Sequence, residues 1–111
     1  MKRKVEPLSP DAVATAFAES IPDFVIEAVN NLLQTKAHQG QAILRQDDII
    51  NECVRLAMQD GSSITRNQIF DNHWLDIEPI FEAAGWIVNY DRPGHGESYA
   101  ATFEFTDKRK A

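Results

Sequence analysis

Residues 82–105, EAAGWIVNYDRPGHGESYAATFEF, decide the fold. Just upstream and into this stretch, Ile77, Ile80, Phe81 and Ala84 recur at helical spacing, and Gly85 stands where a helix C-terminus accepts a left-handed residue. From Trp86 the period drops to two. Trp86, Val88 and Tyr90 share one side of a strand, and Tyr99, Ala101, Phe103 and Phe105 share one side of a second. Between the strands the run Arg92, Pro93, Gly94, His95 and Gly96 breaks the alternation, so a helix that stops at glycine feeds an antiparallel hairpin.

Working back from that hairpin, Pro79 is tolerated if the preceding helix begins near Asp76 to Glu78, giving a helix of about residues 76–84. Before it, SSITRNQIFDNH carries cap-type residues at Ser62, Ser63 and Thr65 and only about two helical turns, through Ile69 and Phe70. DDIINECVRLAMQDG places Ile49, Ile50, Cys53, Val54 and Ala57 on one face and closes at Gly61. Ile43 and Leu44, in QAILRQ, fit a single short strand. SIPDFVIEAVNNLLQTKAHQG predicts a helix capped by Ser20, striped by Val25, Ile26, Val29, Leu32 and Leu33, and ended by Gly40. A further short helix, about 10–19, starts from Ser9 as N-cap and Pro10 at the first helical position.

The expected fold class is therefore α+β: three main helices plus short ones, one short strand and a C-terminal hairpin. The 111 residues suit one domain, 10–106, between basic segments at 1–9 and 107–111. Cys53 is the only cysteine, which rules out an intrachain disulfide and fits a reducing, cytoplasmic setting. No run of apolar residues is long enough for a membrane span, and MKRKVEPLSP has no apolar core after its basic start.

Charge is unevenly placed. Six of the eleven Lys and Arg lie at the ends, at Lys2, Arg3, Lys4, Lys108, Arg109 and Lys110. Residues 5–107 keep five cations against all seventeen acids, a formal charge of −12. Binding to a nucleic-acid backbone depends on Lys and Arg, so a body this acidic disfavours duplex DNA unless its few cations converge.

Helix, strand, two further helices and a closing hairpin is the order of the winged helix-turn-helix class, which IFEAAGWIVNYDRPGHGESYAATFEF resembles over roughly residues 20–106. The run WLDIEPIFEAAGWIVNYDRPG also resembles a group of small proteins of tailed bacteriophages, which would place the chain in the cytoplasm of a bacterial host. The winged-helix resemblance implies nucleic-acid binding or regulation, DNA before RNA, and a wing that touches the backbone or minor groove. The residues suited to it are Arg66, Asn67 and Gln68, with Arg92 and His95 at the hairpin tip. Each has a plainer reading beside it, as first-turn residues behind a Thr65 cap and as a glycine-rich turn. The basic ends could supply further backbone contacts.

A second reading follows from charge. Asp76, Glu78 and Glu82 would repel phosphate, and they suit a basic protein surface, such as that of a host nucleic-acid-processing or defence protein. A homodimer built on the helix of residues 10–20 is also open. No catalytic, cofactor-binding or metal-ligating set is expected. His38, His73 and His95 are far apart without a ligand motif, Cys53 falls on an apolar helix face, and RPGHGES lacks the following helix that phosphate cradling needs.

Overall fold

The computed structural model describes residues 7–110. Lys2, Arg3 and Lys4, the N-terminal cations singled out above, lie outside the described residues. The chain runs α1 (Pro10–Ser20), α2 (Asp23–Lys36), β1 (Gln41–Arg45), α3 (Gln46–Gln59), α4 (Arg66–Asp71), α5 (Glu78–Ala83), β2 (Trp86–Asp91) and β3 (Thr102–Asp107). It is an α+β fold with one antiparallel sheet of order β1-β3-β2. None of the described helices is long and apolar enough to cross a membrane.

Local chemistry accounts for most boundaries. Ser9 Oγ accepts the Ala12 N–H at 3.1 Å with Pro10 opening α1, as expected. Ser20 does something different from the capping expected of it: its hydroxyl donates to the Phe17 carbonyl, and Pro22, in extended backbone, holds the N-cap of α2. A serine hydroxyl at a helix end can bond back to the turn before it as readily as forward.

Helix α2 also stops earlier than its glycine suggests. The chain reverses through Gln39 and Gly40, with φ of 53° and 82°, while His38 and Gln41 exchange backbone hydrogen bonds of 2.8 and 3.1 Å. Two consecutive positive φ values are what a tight two-residue hairpin turn requires. Gly40 thus leads into β1, and α3 follows β1 without a loop. Its far end closes as a Schellman motif at Gly61 (φ 79°), where the Ser62 N–H reaches the Ala57 carbonyl at 2.9 Å.

The sheet joins distant parts of the sequence. Gln41 faces Thr106 and Arg45 faces Thr102 across β1 and β3, while Trp86 faces Asp107 and Asp91 faces Thr102 across β2 and β3. One face carries Ala42, Leu44, Val88, Phe103 and Phe105 into the core, where Val25, Val29, Ile49, Cys53, Ile69, Ile77 and Phe81 meet them. Phe105 sits at the middle, edge-on to Phe81 and Trp86 at centroid distances of 5.5 and 6.1 Å. Such pairs add about 0.5–1.5 kcal/mol each beyond the area they bury.

The hairpin is longer-looped than alternation predicts. β3 begins at Thr102, and Tyr99 belongs to the connection, its hydroxyl bonded to Asp91 Oδ1 at 2.8 Å and to the Arg92 carbonyl at 2.6 Å. After β3, residues Lys108–Lys110 form a 3-10 turn, not a free tail. The Lys108 N–H donates to the Gly85 carbonyl and its ammonium to the Glu82 carbonyl, which closes the end of α5. Arg109 pairs with Asp107 at 2.9 Å and pulls that carboxyl down to about 2.

Candidate functional site

The junction of β1 and α3 buries one polar side chain. Gln46, 9% exposed, accepts a hydrogen bond from the Tyr90 hydroxyl at 2.7 Å, and its backbone N–H donates to the Ala101 carbonyl at 2.9 Å. Tyr90 lies over Phe103 with ring centroids 4.6 Å apart. The first turn of α3 is thereby tied to β2 and to the residue just before β3. Beside Gln46 opens a cavity of about 100 Å³, lined also by Phe70, His73, Asp76, Glu78 and Tyr90.

Asp76 and Glu78 form one wall of this cavity and also one wall of a larger groove of about 870 Å³. The groove's other lining is apolar: Leu8, Pro10, Val13 and Phe17 from α1 and its approach, and Pro79. Leu8 and Val13 are 72% and 50% exposed. His73, held at φ 56°, sets its ring 6.4 Å from that of Phe17, so the two spaces adjoin across residues 73–79.

Among the described residues Asp76, Glu78 and Glu82 form no salt bridge; the ion pairs found are Arg55–Glu52, Arg66–Asp47 and Arg109–Asp107. Burial pushes the half-buried Glu78 carboxyl up, and the charges of Asp76 and Glu82 push the same way. Burial also raises the Tyr90 phenol, with Glu78 adding to the rise and Arg92 opposing it.

The residues suited to nucleic acid are partly occupied. Arg66 Nη1 lies 2.7 Å from Asp47 Oδ1, and its guanidinium is stacked 5.2 Å from the Phe70 centroid. Gln68 completes a capping box: its Oε1 accepts the Thr65 N–H at 2.8 Å and its own N–H donates to Thr65 Oγ1 at 3.2 Å. Asn67 is exposed on α4, and Arg92 and His95 are exposed in the hairpin connection. The Arg66–Asp47 and Gln46–Tyr90 links bring α4 and the base of that connection to one end of the sheet. Asp47 and Asp91 accompany the two arginines there, so the cations do not make a basic patch.

Cys53 is fully buried and its thiol is pushed up to about 12 by burial, the state of a core side chain and not of a nucleophile. Three features escaped sequence reasoning: Gln46 as a buried hub, Tyr90 as its partner, and the groove under α1. Only the last left a trace, in Val13 and Phe17 one helical turn apart on an otherwise alanine-rich helix.

The chain matches no protein-family model, and neither a curated protein nor a solved structure matches it.

Proposed function

We propose that this chain is a small winged-helix-like protein-binding module that engages a basic partner through Asp76, Glu78 and Glu82. The observation that carries the reading is the imbalance of compensation. These three carboxylates have no cationic partner among the described residues, whereas Arg66 is neutralised by Asp47 and Gln68 is used as a cap. Unpaired like charges beside an apolar groove cost stability unless a partner supplies the opposite charge. The winged-helix likeness is supported by the sheet order β1-β3-β2 with α2, α3 and α5 packed beside it. A basic nucleic-acid-processing protein presents a surface of the required sign.

A second reading, contact with a DNA backbone through the hairpin connection, is favoured by the exposed Arg92 and His95. Fluorescence anisotropy of labelled duplex and single-stranded DNA separates the two. The protein-binding reading expects no binding at near-physiological salt, and expects the double variant Glu78→Lys, Glu82→Lys to lose a captured protein partner with unchanged helical circular dichroism. Salt-sensitive DNA binding that Arg92→Ala weakens, with a slope against log salt reduced by about 1, would overturn it.

A further inference from the structure

Two neighbouring spaces of unlike chemistry share the Asp76–Glu78 wall. The smaller is half-open, with two acids set among mostly apolar side chains. Its volume of about 100 Å³ equals that of roughly three waters, room for one guanidinium head or a hydrated ammonium. Asp76, Glu78 and Gln46 line it, beside the aromatic residues Phe70, Tyr90 and Phe103 and the aliphatic Ile69 and Leu75. The larger is open, apolar and bounded by α1.

Gln46 supplies an observation independent of the acids. Its side chain is nine-tenths buried, its Oε1 is taken by Tyr90, and the residue lines the cavity. A turn of the amide by half a revolution keeps the Tyr90 bond, because a phenol hydroxyl both donates and accepts, and presents an acceptor to the cavity instead of a donor. The site can therefore match a cationic head with three oxygen-bearing groups. Aromatic walls add to the attraction of a cation.

We infer that the cavity and groove form one docking site for a peptide segment in which a lysine or arginine neighbours an apolar residue. The cation enters between Asp76, Glu78 and Gln46, and the apolar side chain lies against Leu8, Val13 and Phe17. This rests on the protein-binding reading above and names the chemistry of the partner. Charge complementarity selects the occupant: a purely apolar segment would leave Asp76 and Glu78 further desolvated and still unpaired, which is costly. A purely basic segment would leave the groove wet. The raised Glu78 carboxyl is consistent with a site waiting for positive charge.

The test uses the full chain and three acetylated, amidated hexapeptides: one alternating leucine and arginine, one alternating serine and arginine, and one alternating leucine and glutamine. Amide NMR signals are followed on titration. The leucine–arginine peptide is expected to shift signals of residues around 46, 73–79 and 13–17. Either replacement is expected to weaken binding about tenfold, since burial of one apolar side chain or one paired charge is worth at least that factor. Val13→Ser should weaken the leucine–arginine peptide and leave the serine–arginine peptide unchanged.

Equal binding of the two arginine peptides, shifts confined to other acidic positions such as Asp47 or Asp60, or no shift at millimolar peptide would each overturn the assignment. So would a concentration-dependent dimer that Val13→Asp dissociates, because a second copy would then fill the groove. If the peptides fail while the Glu78→Lys, Glu82→Lys variant still loses its protein partner, the docking chemistry is wrong and the protein-binding reading stands. If both fail, that reading falls with it.

Discussion

Replacing Tyr90 by phenylalanine removes one oxygen and tests whether Gln46 is the hub described above. The ring can keep its place on Phe103, 4.6 Å away, so the change isolates the hydroxyl that donates to Gln46 Oε1 at 2.7 Å. A buried acceptor left without its donor costs about 1–3 kcal/mol. The adjoining cavity of about 100 Å³ can admit water to Gln46, which places the cost near the lower end, about 1–1.5 kcal/mol. For a domain of this size that is a fall in Tm of roughly 5–8 °C. Gln46→Met removes the other partner and leaves a partly exposed phenol that solvent can satisfy, so it should cost less than about 1 kcal/mol. The double variant should then be more stable than the sum of the singles predicts, by about 1 kcal/mol. Urea denaturation and thermal melts of the four proteins supply the cycle. Additive effects, or a Tyr90→Phe cost indistinguishable from zero, would refute the claim that this bond ties α3 to the hairpin.

Two further outcomes follow from the glycine at the β1 turn and from Glu78. A Cβ on Gly40 would meet Lys110 Cδ at 2.6 Å and Asp107 Cβ at 3.2 Å, whereas one on Gly61, at nearly the same φ, would meet nothing within 4 Å. Gly61→Ala should therefore show only the conformational cost of about 1 kcal/mol, and Gly40→Ala somewhat more, with Lys110→Ala recovering the part due to the lysine stem and leaving the part due to Asp107 Cβ; a Gly40→Ala cost below that of Gly61→Ala would count against this close approach. Because the folded Glu78 carboxyl is raised above its ordinary 4.5, its contribution to stability is fully present below that pH and is lost as pH rises through the folded value. Glu78→Gln should accordingly raise the Tm at pH 7 and show little gain near pH 4; a loss of stability at pH 7 would mean that the carboxylate already has a favourable partner.

What the sequence disclosed followed the range of the interactions. Ser9 and Pro10 opening α1, Gly61 and Gly85 closing their helices, and the period-two strand from Trp86 are contacts within a few residues, and all were legible. The α+β class came from the same local patterns. Ser20 was misread because its hydroxyl has two turns to choose between, and Tyr99 because a residue in phase with a strand need not pair in it. The site was mostly illegible for a different reason. Gln46 meets Tyr90, and Arg66 meets Asp47, only after β1 and α4 have been placed by the core, and no spacing rule connects those positions. The acids of α5 were visible as charge; that no described cation pairs with them is a property of the assembled surface.

The order β1-β3-β2 puts the last strand of the three in the middle of the sheet. A chain emerging from its N-terminus can assemble α2 against α3 early, but β1 and β2 share no hydrogen-bonded edge and must wait for Thr102–Asp107 to arrive between them. Until then Ala42 and Leu44 have no strand beside them, and the aromatic cluster lacks Phe105 at its centre. Loop-closure entropy is spent on the Gln41–Thr106 pairing before most of the sheet's contacts can repay it, so folding should be slow relative to a helical domain of equal length. The half-made polypeptide is thus at its most adhesive just before its final strand is available, and for this molecule the hazard of misassociation belongs to biosynthesis more than to the finished fold.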